Sequence, residues 1–176
     1  NESRQPTLSN WIRAPTSCGP SMVERVGISM RVAVDRHGET RDCLARNWSH
    51  YMAATLPGVS WMPLPNVGAA IIDTINMWKL DGFILTGGND IGEYSERDTT
   101  EKVGLDYAIE HHLPVFGVCR GLHLLQHVLG GQLKRCRHEA HVATQHSIIL
   151  FKDRFTFDAP ALATVNSYHE WAIPET

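Results

Sequence analysis

One cysteine stands between two glycines in the segment Gly117-Val-Cys119-Arg-Gly121, and this spacing suits a nucleophile on a sharp turn. With serine at the centre, the same G-x-S-x-G spacing lifts a nucleophile above a sheet where a strand enters a helix. An apolar run precedes the turn here, and residues 122–129 carry apolar side chains at helical spacing. The first N–H groups of such a helix favour a thiolate over a thiol. The alternative is a buried, inert cysteine, because free cysteine packs as a small hydrophobe.

A second glycine pair, Gly87-Gly88, follows the apolar residues 81–86 and precedes Asn89-Asp90. Glycines after a strand allow backbone N–H groups to point into a site without obstruction by side chains. A thiolate that attacks an acyl carbon needs such donors for the developing oxyanion. The backbone N–H groups of Gly88 and Arg120 are therefore candidates for an oxyanion hole. The alternative for the glycine pair is an ordinary turn.

The histidines, ten in number, are candidates for the base that would serve the cysteine. His169 follows a predicted strand and so could reach the same edge of a sheet. His123 and His127 lie four residues apart on the helix after the turn, a spacing that can bind a metal ion. No H-E-x-x-H motif occurs, and three others lie in a region without a regular pattern: His138, His141 and His146. We therefore predict neither a metal site nor a cofactor.

The elements that must position these residues alternate along the chain between strand and helix patterns. Strands are predicted at 26–34, 59–62, 81–86 and 114–118, and helices at 41–56, 67–78, 98–111 and 120–129. This alternation predicts an α/β fold with a mostly parallel sheet and helices on both faces. Ligands in such sheets bind outside the carboxyl ends of the strands, where both glycine turns belong. Two further strands are predicted at 146–151 and 164–168.

The composition describes an ordinary globular protein. Of the 176 residues, 43% are hydrophobic and 20% charged, and the net charge is −3. This charge gives no reason to expect nucleic acid or a membrane as a partner. The four cysteines form no C-x-x-C pair, so reduced thiols in a cytoplasm are expected. We predict an irregular N-terminal arm or linker over residues 1–24 and one domain over residues 25–176.

Three motifs occur in a fixed order: residues 86–90, then residues 114–121 with Leu-Gly-Gly at 129–131, then Val-Asn-Ser-Tyr-His at 165–169. This combination resembles the class I glutamine amidotransferase superfamily and, within it, the γ-glutamyl hydrolase-like branch. The resemblance implies a flavodoxin-like, three-layer α/β/α fold with a nucleophile elbow. It also implies a small-molecule γ-glutamyl substrate and a γ-glutamyl thioester on Cys119 that water then hydrolyses.

The resemblance also assigns the residues around the nucleophile. It places oxyanion donors at Gly88 and Arg120. His123 stands where many relatives carry a glutamine that holds the glutamyl group, so this pocket is expected to differ. The substrate contacts implied are Gly87, Asn89, His123, Asn166, Ser167 and His169.

Two segments carry a narrower resemblance. Residues 39–48 and 166–173 are similar to those of the γ-glutamyl-CDP-amidate hydrolases of capsule and polysaccharide biosynthesis. These enzymes remove glutamate from a nucleotide-linked amidate, which implies a nucleotide contact at Arg41. From the residues alone, Arg41-Asp42 is a solvated start of a helix and Trp48 belongs to the core.

One departure from the resemblance matters for activity. Relatives carry a catalytic His-x-Glu pair well downstream of the Asn-Ser-x-His motif, and the sequence printed ends at Thr176 before such a pair. We therefore expect a C-terminally incomplete copy of the domain. Three functions stay open: a hydrolase, a glutaminase that supplies ammonia to a synthetase partner, and a catalytically incomplete binding domain. A homodimer or a fused or associated biosynthetic domain is the partner expected.

Overall fold

The strand that begins the fold, β1 (Arg25–Ser29), lies inside a parallel sheet between β4 (Ser60–Leu64) and β5 (Gly82–Leu85). The next strand, β6 (Val115–Gly117), pairs in parallel with β5. The sheet order β4-β1-β5-β6 is the flavodoxin-like order, in which the strand order reverses between β1 and β5. The structure is a computed structural model and describes residues 23–136, 141–149 and 162–174.

The helices cover this sheet on both faces. They are α1 (Asn47–Thr55), α2 (Ile71–Trp78), which follows a 3-10 turn at Gly68–Ala70, α3 (Ser95–Glu110) and α4 (Arg120–Val128). Side chains alternate along β5, so Ile84 packs with Met52 of α1, whereas Phe83 packs with the buried residues of α2 and α3. Leu85 packs with Leu105 and Leu124 of α3 and α4. The three-layer α/β/α prediction is confirmed.

Two boundaries predicted from the sequence are wrong. The predicted strand 26–34 is two strands, because β2 (Arg31–Val34) leaves the sheet and pairs antiparallel with β3 (Thr40–Cys43). The predicted helix 41–56 consequently begins only at Asn47. The physical reason is the turn between the strands, where the Asp35 carboxylate accepts bonds from the backbone N–H groups of His37 and Glu39, at 2.8 and 3.0 Å.

By backbone contacts the chain divides into two compact units, Asn1–Leu129 and Gly130–Thr176. In the second unit, β8 (Val142–Ile149) pairs antiparallel with β9 (Leu162–Tyr168), and β7 (Lys134–Arg135) with β10 (Trp171–Ala172). The strand predicted at 164–168 is present in β9, and the strand predicted at 146–151 is present up to Ile149 but begins earlier, at Val142. Residues 150 and 151 of that prediction lie outside the described residues. Residues 1–22 of the predicted N-terminal arm lie outside the described residues. A single domain over residues 25–176 stays a prediction. Within the described residues, no helix is long and apolar enough to cross a membrane.

Candidate functional site

The cysteine of the G-x-C-x-G segment sits in a strained backbone conformation at the start of a helix. Cys119 has φ 52° and ψ −113° and directly precedes the first residue of α4. A residue with a side chain rarely adopts positive φ, and such strain concentrates at functional sites. Cys119 is exposed and, in the part of the chain that the structure describes, forms no disulfide. This geometry is that of a nucleophile elbow, in which the turn lifts the side chain above the sheet.

Both glycines of the segment are required by close packing of the backbone around the cysteine. A methyl group on Gly121 would lie 2.1 Å from the carbonyl oxygen of Leu85, at the end of β5. A methyl group on Gly117 would lie 2.7 Å from the backbone of Gly121 itself. In addition, the backbone N–H of Val118 donates to the Leu85 carbonyl oxygen at 2.9 Å. The elbow is therefore packed tightly against the carboxyl end of β5.

Residues 86–90, which we call the glycine loop, follow β5 and approach the cysteine directly. A methyl group on Gly87 would lie 3.2 Å from Cys119 Cβ and 3.7 Å from its Sγ. Gly88 has φ 81°, and a methyl group there would lie 2.9 Å from Cδ of Arg31. The structure thus brings Gly87 and Cys119 together, and Gly88 needs its glycine backbone. The oxyanion role of Gly88 and Arg120 stays a prediction.

A buried arginine of α3 binds the glycine loop through several hydrogen bonds. The side chain of Arg97 is fully buried, and its guanidinium donates to the carbonyl oxygens of Thr86 and Gly87, each at 3.1 Å. It also donates to the carbonyl oxygen of Gly88 and, at 2.9 Å, to Oδ1 of Asn89. One side chain therefore fixes four consecutive residues of the loop beside the cysteine.

A carboxylate joins this arginine to the elbow. Glu101, also fully buried, accepts from Nε of Arg97 at 3.0 Å and from the guanidinium of Arg120, the residue after the cysteine. Arg120 is paired with Asp98 as well. Burial lowers the pKa of Arg97 below its ordinary value, and the Glu101 carboxylate opposes that shift. The buried ion network of Arg97, Asp98, Glu101 and Arg120 thus connects the glycine loop to the elbow.

The predictions from motifs missed this ion network, although the sequence carries a signal for it. Arg97 and Glu101 lie four residues apart on α3, on the same helical face as Leu105 and Ala108, which are buried. Charged residues in register with an apolar stripe point into the protein and must be paired there. The position of Arg97 and Glu101 on the apolar face of α3 is therefore the sequence signal for this buried pair.

The remaining residues predicted in the first unit occupy defined positions. Asn89 bonds to β2, because its Oδ1 accepts from the N–H of Val32 at 2.8 Å and its Nδ2 donates to the Val32 carbonyl at 3.2 Å. Arg41 lies on β3 and forms ion pairs with Asp35 and Glu39. His123 lies in the first turn of α4, and its backbone N–H donates to the Cys119 carbonyl at 3.0 Å. Substrate contacts at these residues stay predictions.

The other predicted contacts lie in the second unit, around β9. Asn166 is exposed on the strand, whereas Ser167 is buried and its Oγ donates to the His141 carbonyl at 2.7 Å. His169 follows the strand, and its Nδ1 lies 2.8 Å from the Trp171 carbonyl oxygen. Their roles as substrate contacts stay predictions. The sequence pattern predicts no metal site, yet one potential ligand atom each of Cys136, His141 and His169 lie within 4.8 Å of one another.

The sequence matches known proteins over most of its length. The model of the family described as Peptidase C26 matches residues 26–176. A γ-glutamyl-CDP-amidate hydrolase from Campylobacter jejuni is 29% identical over 155 residues, and the match covers 84% of this chain and 71% of that protein. Protein NtpR from Enterococcus hirae is 33% identical over 148 residues, and the match covers 68% of this chain and 60% of that protein. The chain therefore spans 60% to 71% of the length of these relatives.

A solved structure supports the fold independently of sequence. A glutamine amidotransferase from Thermotoga maritima superposes with a TM-score of 0.55 at 14% sequence identity. The match covers 87% of this chain and 63% of that one. At this level of identity the likeness concerns the fold alone.

Proposed function

The chain belongs to the Peptidase C26 family, and from this membership and the elbow geometry we propose that it hydrolyses γ-glutamyl amide bonds with Cys119 as nucleophile. The observation that carries the proposal is the backbone of Cys119, at φ 52° and ψ −113°, with an exposed thiol against Gly87. Strain of this kind costs about 1–3 kcal/mol, and only a surrounding structure that over-determines it maintains it. The buried ion network and the two close glycine contacts supply that constraint.

The reaction proceeds in two acyl-transfer steps. The Cys119 thiolate attacks the γ-carbonyl carbon, the C–N bond breaks, and the leaving amine takes up a proton. Water then attacks the γ-glutamyl thioester, the C–S bond breaks, and glutamate and the free thiol are released. Negative charge develops on the carbonyl oxygen in both steps, and the N–H groups of Gly88 and Arg120 are the donors proposed for it.

We propose a nucleotide-linked amidate as the substrate class, because the chain is similar to the γ-glutamyl-CDP-amidate hydrolase of Campylobacter jejuni. Arg41, on the hairpin formed by β2 and β3, is the candidate contact for the nucleotide phosphate. Its guanidinium is half-exposed and is held between Asp35 and Glu39. Guanidinium groups suit phosphate because their planar donors match its oxygens.

A glutamate-release assay on the product of the complete gene tests the proposal. The panel is glutamine, a γ-glutamyl amine, a folate-type polyglutamate and a nucleotide γ-glutamyl amidate. We expect the amidate to give the highest kcat/KM and the Cys119→Ser variant to lose at least about 10³-fold in kcat, as variants lacking a nucleophile do. Cys43→Ser, which removes a half-buried thiol on β3, is the matched control and should keep full turnover.

The panel also distinguishes the other functions. Glutamine turnover that rises only when a synthetase partner is added would favour the ammonia-supplying glutaminase instead. If the pure protein binds the amidate without turnover, and Cys119→Ser binds it equally well, the chain is a binding domain and the proposed hydrolysis is wrong.

A further inference from the structure

The second unit gathers a thiol and two imidazoles at the junction of its two small sheets. Cys136 directly follows β7, His141 directly precedes β8, and His169 directly follows β9. One potential ligand atom of each lies within 4.8 Å of the others, and all three side chains are half-buried. The geometry points to a Zn²⁺ site formed by these three residues, which we propose as a metal-binding function of this unit.

Backbone hydrogen bonds fix the relative positions of the three residues. The N–H of Cys136 donates to the carbonyl oxygen of Glu170 at 2.7 Å, which ties the cysteine to the residue after His169. The N–H of His169 donates to the carbonyl oxygen of His141 at 3.1 Å. The hydroxyl of the buried Ser167 donates to that same oxygen at 2.7 Å. Ligands that are fixed by their backbones lose less conformational entropy on binding a metal.

The hydrogen bond of His169 determines which of its nitrogens is free. A carbonyl oxygen only accepts, so the His169 Nδ1, at 2.8 Å from the Trp171 carbonyl, carries the proton. Its Nε2 then keeps a lone pair. This arrangement, in which one ring nitrogen donates to a carbonyl and the other is left for the metal, is the usual one for histidine ligands.

The second histidine, His141, has a buried ring nitrogen that is available to bind a metal ion. Nδ1 of His141 is buried, and among the described residues it has no hydrogen-bond partner. Burial of an unpaired polar atom costs free energy, which a metal–nitrogen bond would recover. The rings of His141 and His169 lie with centroids 5.0 Å apart and tilted by 41°, so the two imidazoles are neighbours without being stacked.

The donor set selects the metal. Thiolate and imidazole are the ligands of Zn²⁺, with Zn–S of about 2.3 Å and Zn–N of about 2.0 Å. These lengths place the ligand atoms of a tetrahedral site roughly 3.5 Å apart. Small side-chain rotations that move the ligand atoms by about 1 Å would therefore bring all three within bonding distance of one Zn²⁺. Three protein ligands leave the fourth position to water or to a ligand, as in zinc sites that bind a substrate.

Titration of the metal-free protein with Co²⁺ and Zn²⁺ tests the site. We expect one Co²⁺ per chain, with the near-ultraviolet charge-transfer band of a thiolate ligand and strong visible bands of tetrahedral coordination. Zn²⁺ should displace it stoichiometrically. The variants Cys136→Ser and His141→Ala should each weaken Zn²⁺ binding at least about 100-fold, because even the loss of an outer hydrogen-bond partner costs 10- to 100-fold. Cys43→Ser and His50→Ala, one thiol and one imidazole of the first unit, should bind as the parent does.

A measurement on the unmodified chain guards against variants that fail to fold. Zn²⁺ should slow the alkylation of Cys136 by iodoacetamide, while the rate at Cys43 should be unchanged. The proposal is overturned if the chain binds no Zn²⁺ with a dissociation constant below about 1 µM. It is equally overturned if binding survives in a folded Cys136→Ser variant, or if Zn²⁺ leaves the alkylation rate of Cys136 unaltered. None of these measurements depends on turnover at Cys119.

Discussion

Arg97 donates a hydrogen bond to the carbonyl oxygen of Gly88, although the two residues lie on different elements, α3 and the glycine loop. The loop would otherwise be a run of five residues with two glycines and much conformational freedom. The same guanidinium reaches Glu101, which in turn is bound to Arg120 after the cysteine. The position of the glycine loop relative to the elbow is therefore determined by ionic contacts inside the protein.

Replacing Glu101 by glutamine should destabilise the protein, because it leaves two buried guanidinium groups without their shared carboxylate. Breaking a buried pair by removing one partner typically costs about 3–5 kcal/mol. We expect a loss of this size in the free energy of unfolding measured in urea. Asp106→Asn, an exposed position on the same helix, should stay within about 0.5 kcal/mol of the parent. Equal effects of the two changes would show that the ion network contributes little.

Adding one methyl group at Gly121 should disrupt the elbow, because that group would lie 2.1 Å from the Leu85 carbonyl oxygen. We expect Gly121→Ala to lower the melting temperature and to abolish glutamate release. Gly104→Ala is the matched control, since this glycine is also helical and buried but has no atom within 4 Å of the added methyl group. That control should be neutral or more stable by up to about 1 kcal/mol. A stable, active Gly121→Ala variant would contradict the close packing described.

The backbone at Gly88 offers a test of the proposed oxyanion donor. Gly88→Ala adds a side chain at φ 81°, against Arg31, and should displace the loop. We expect kcat to fall by about 10²-fold with a smaller change in KM, as when an oxyanion donor is misplaced. Gly58→Ala has the same kind of backbone, at φ 89°, with open space around it. It should lose about 1–2 kcal/mol of stability and keep its kcat. Equal kcat losses in both variants would assign the effect to stability alone.

The thiols should differ in their rates of alkylation by iodoacetamide. Cys119 is exposed and precedes a helix, whereas Cys43 and Cys136 are half-buried. We expect Cys119 to react faster than either of them and faster than Cys18, by peptide mass mapping of partially alkylated native protein. The same mapping in urea should make the rates similar, since the difference comes from the fold. Cys119 as the slowest of the four would remove the case for a nucleophile.

The parts of the fold that could be predicted from the sequence are those set by local patterns. The four sheet strands are apolar runs bounded by glycine, proline or polar turns, and the order of glycines around Cys119 requires a tight backbone. The hairpin of β2 and β3 could not be predicted in this way, because Thr40 to Asp42 carry exposed polar side chains that suit the start of a helix equally well. Its pairing is determined by the Asp35 turn and by cross-strand contacts.

The long-range parts of both candidate sites depend on contacts that a sequence does not display. Asp98 and Arg120 are 22 residues apart, and each looks like an ordinary surface charge until the helices are packed. Similarly, Cys136 and His169 are brought together by the pairing of β7 with β10, whose two-residue strands are too short to carry a pattern. Histidines without periodicity gave no reason to expect a common site.

The two hydrogen bonds between Asn89 and Val32 connect the hairpin of β2 and β3 to the glycine loop. The side-chain amide offers one acceptor and one donor to a single residue, as a peptide group does in an antiparallel ladder. Asn89 thus extends the hairpin as a strand residue would, and its amide attaches the glycine loop to β2. An insertion in the turn at residues 35–38 would therefore be expected to act on the glycine loop through Asn89. Because Gly87 of that loop lies against Cys119, a change in the distant turn could alter the surroundings of the thiol.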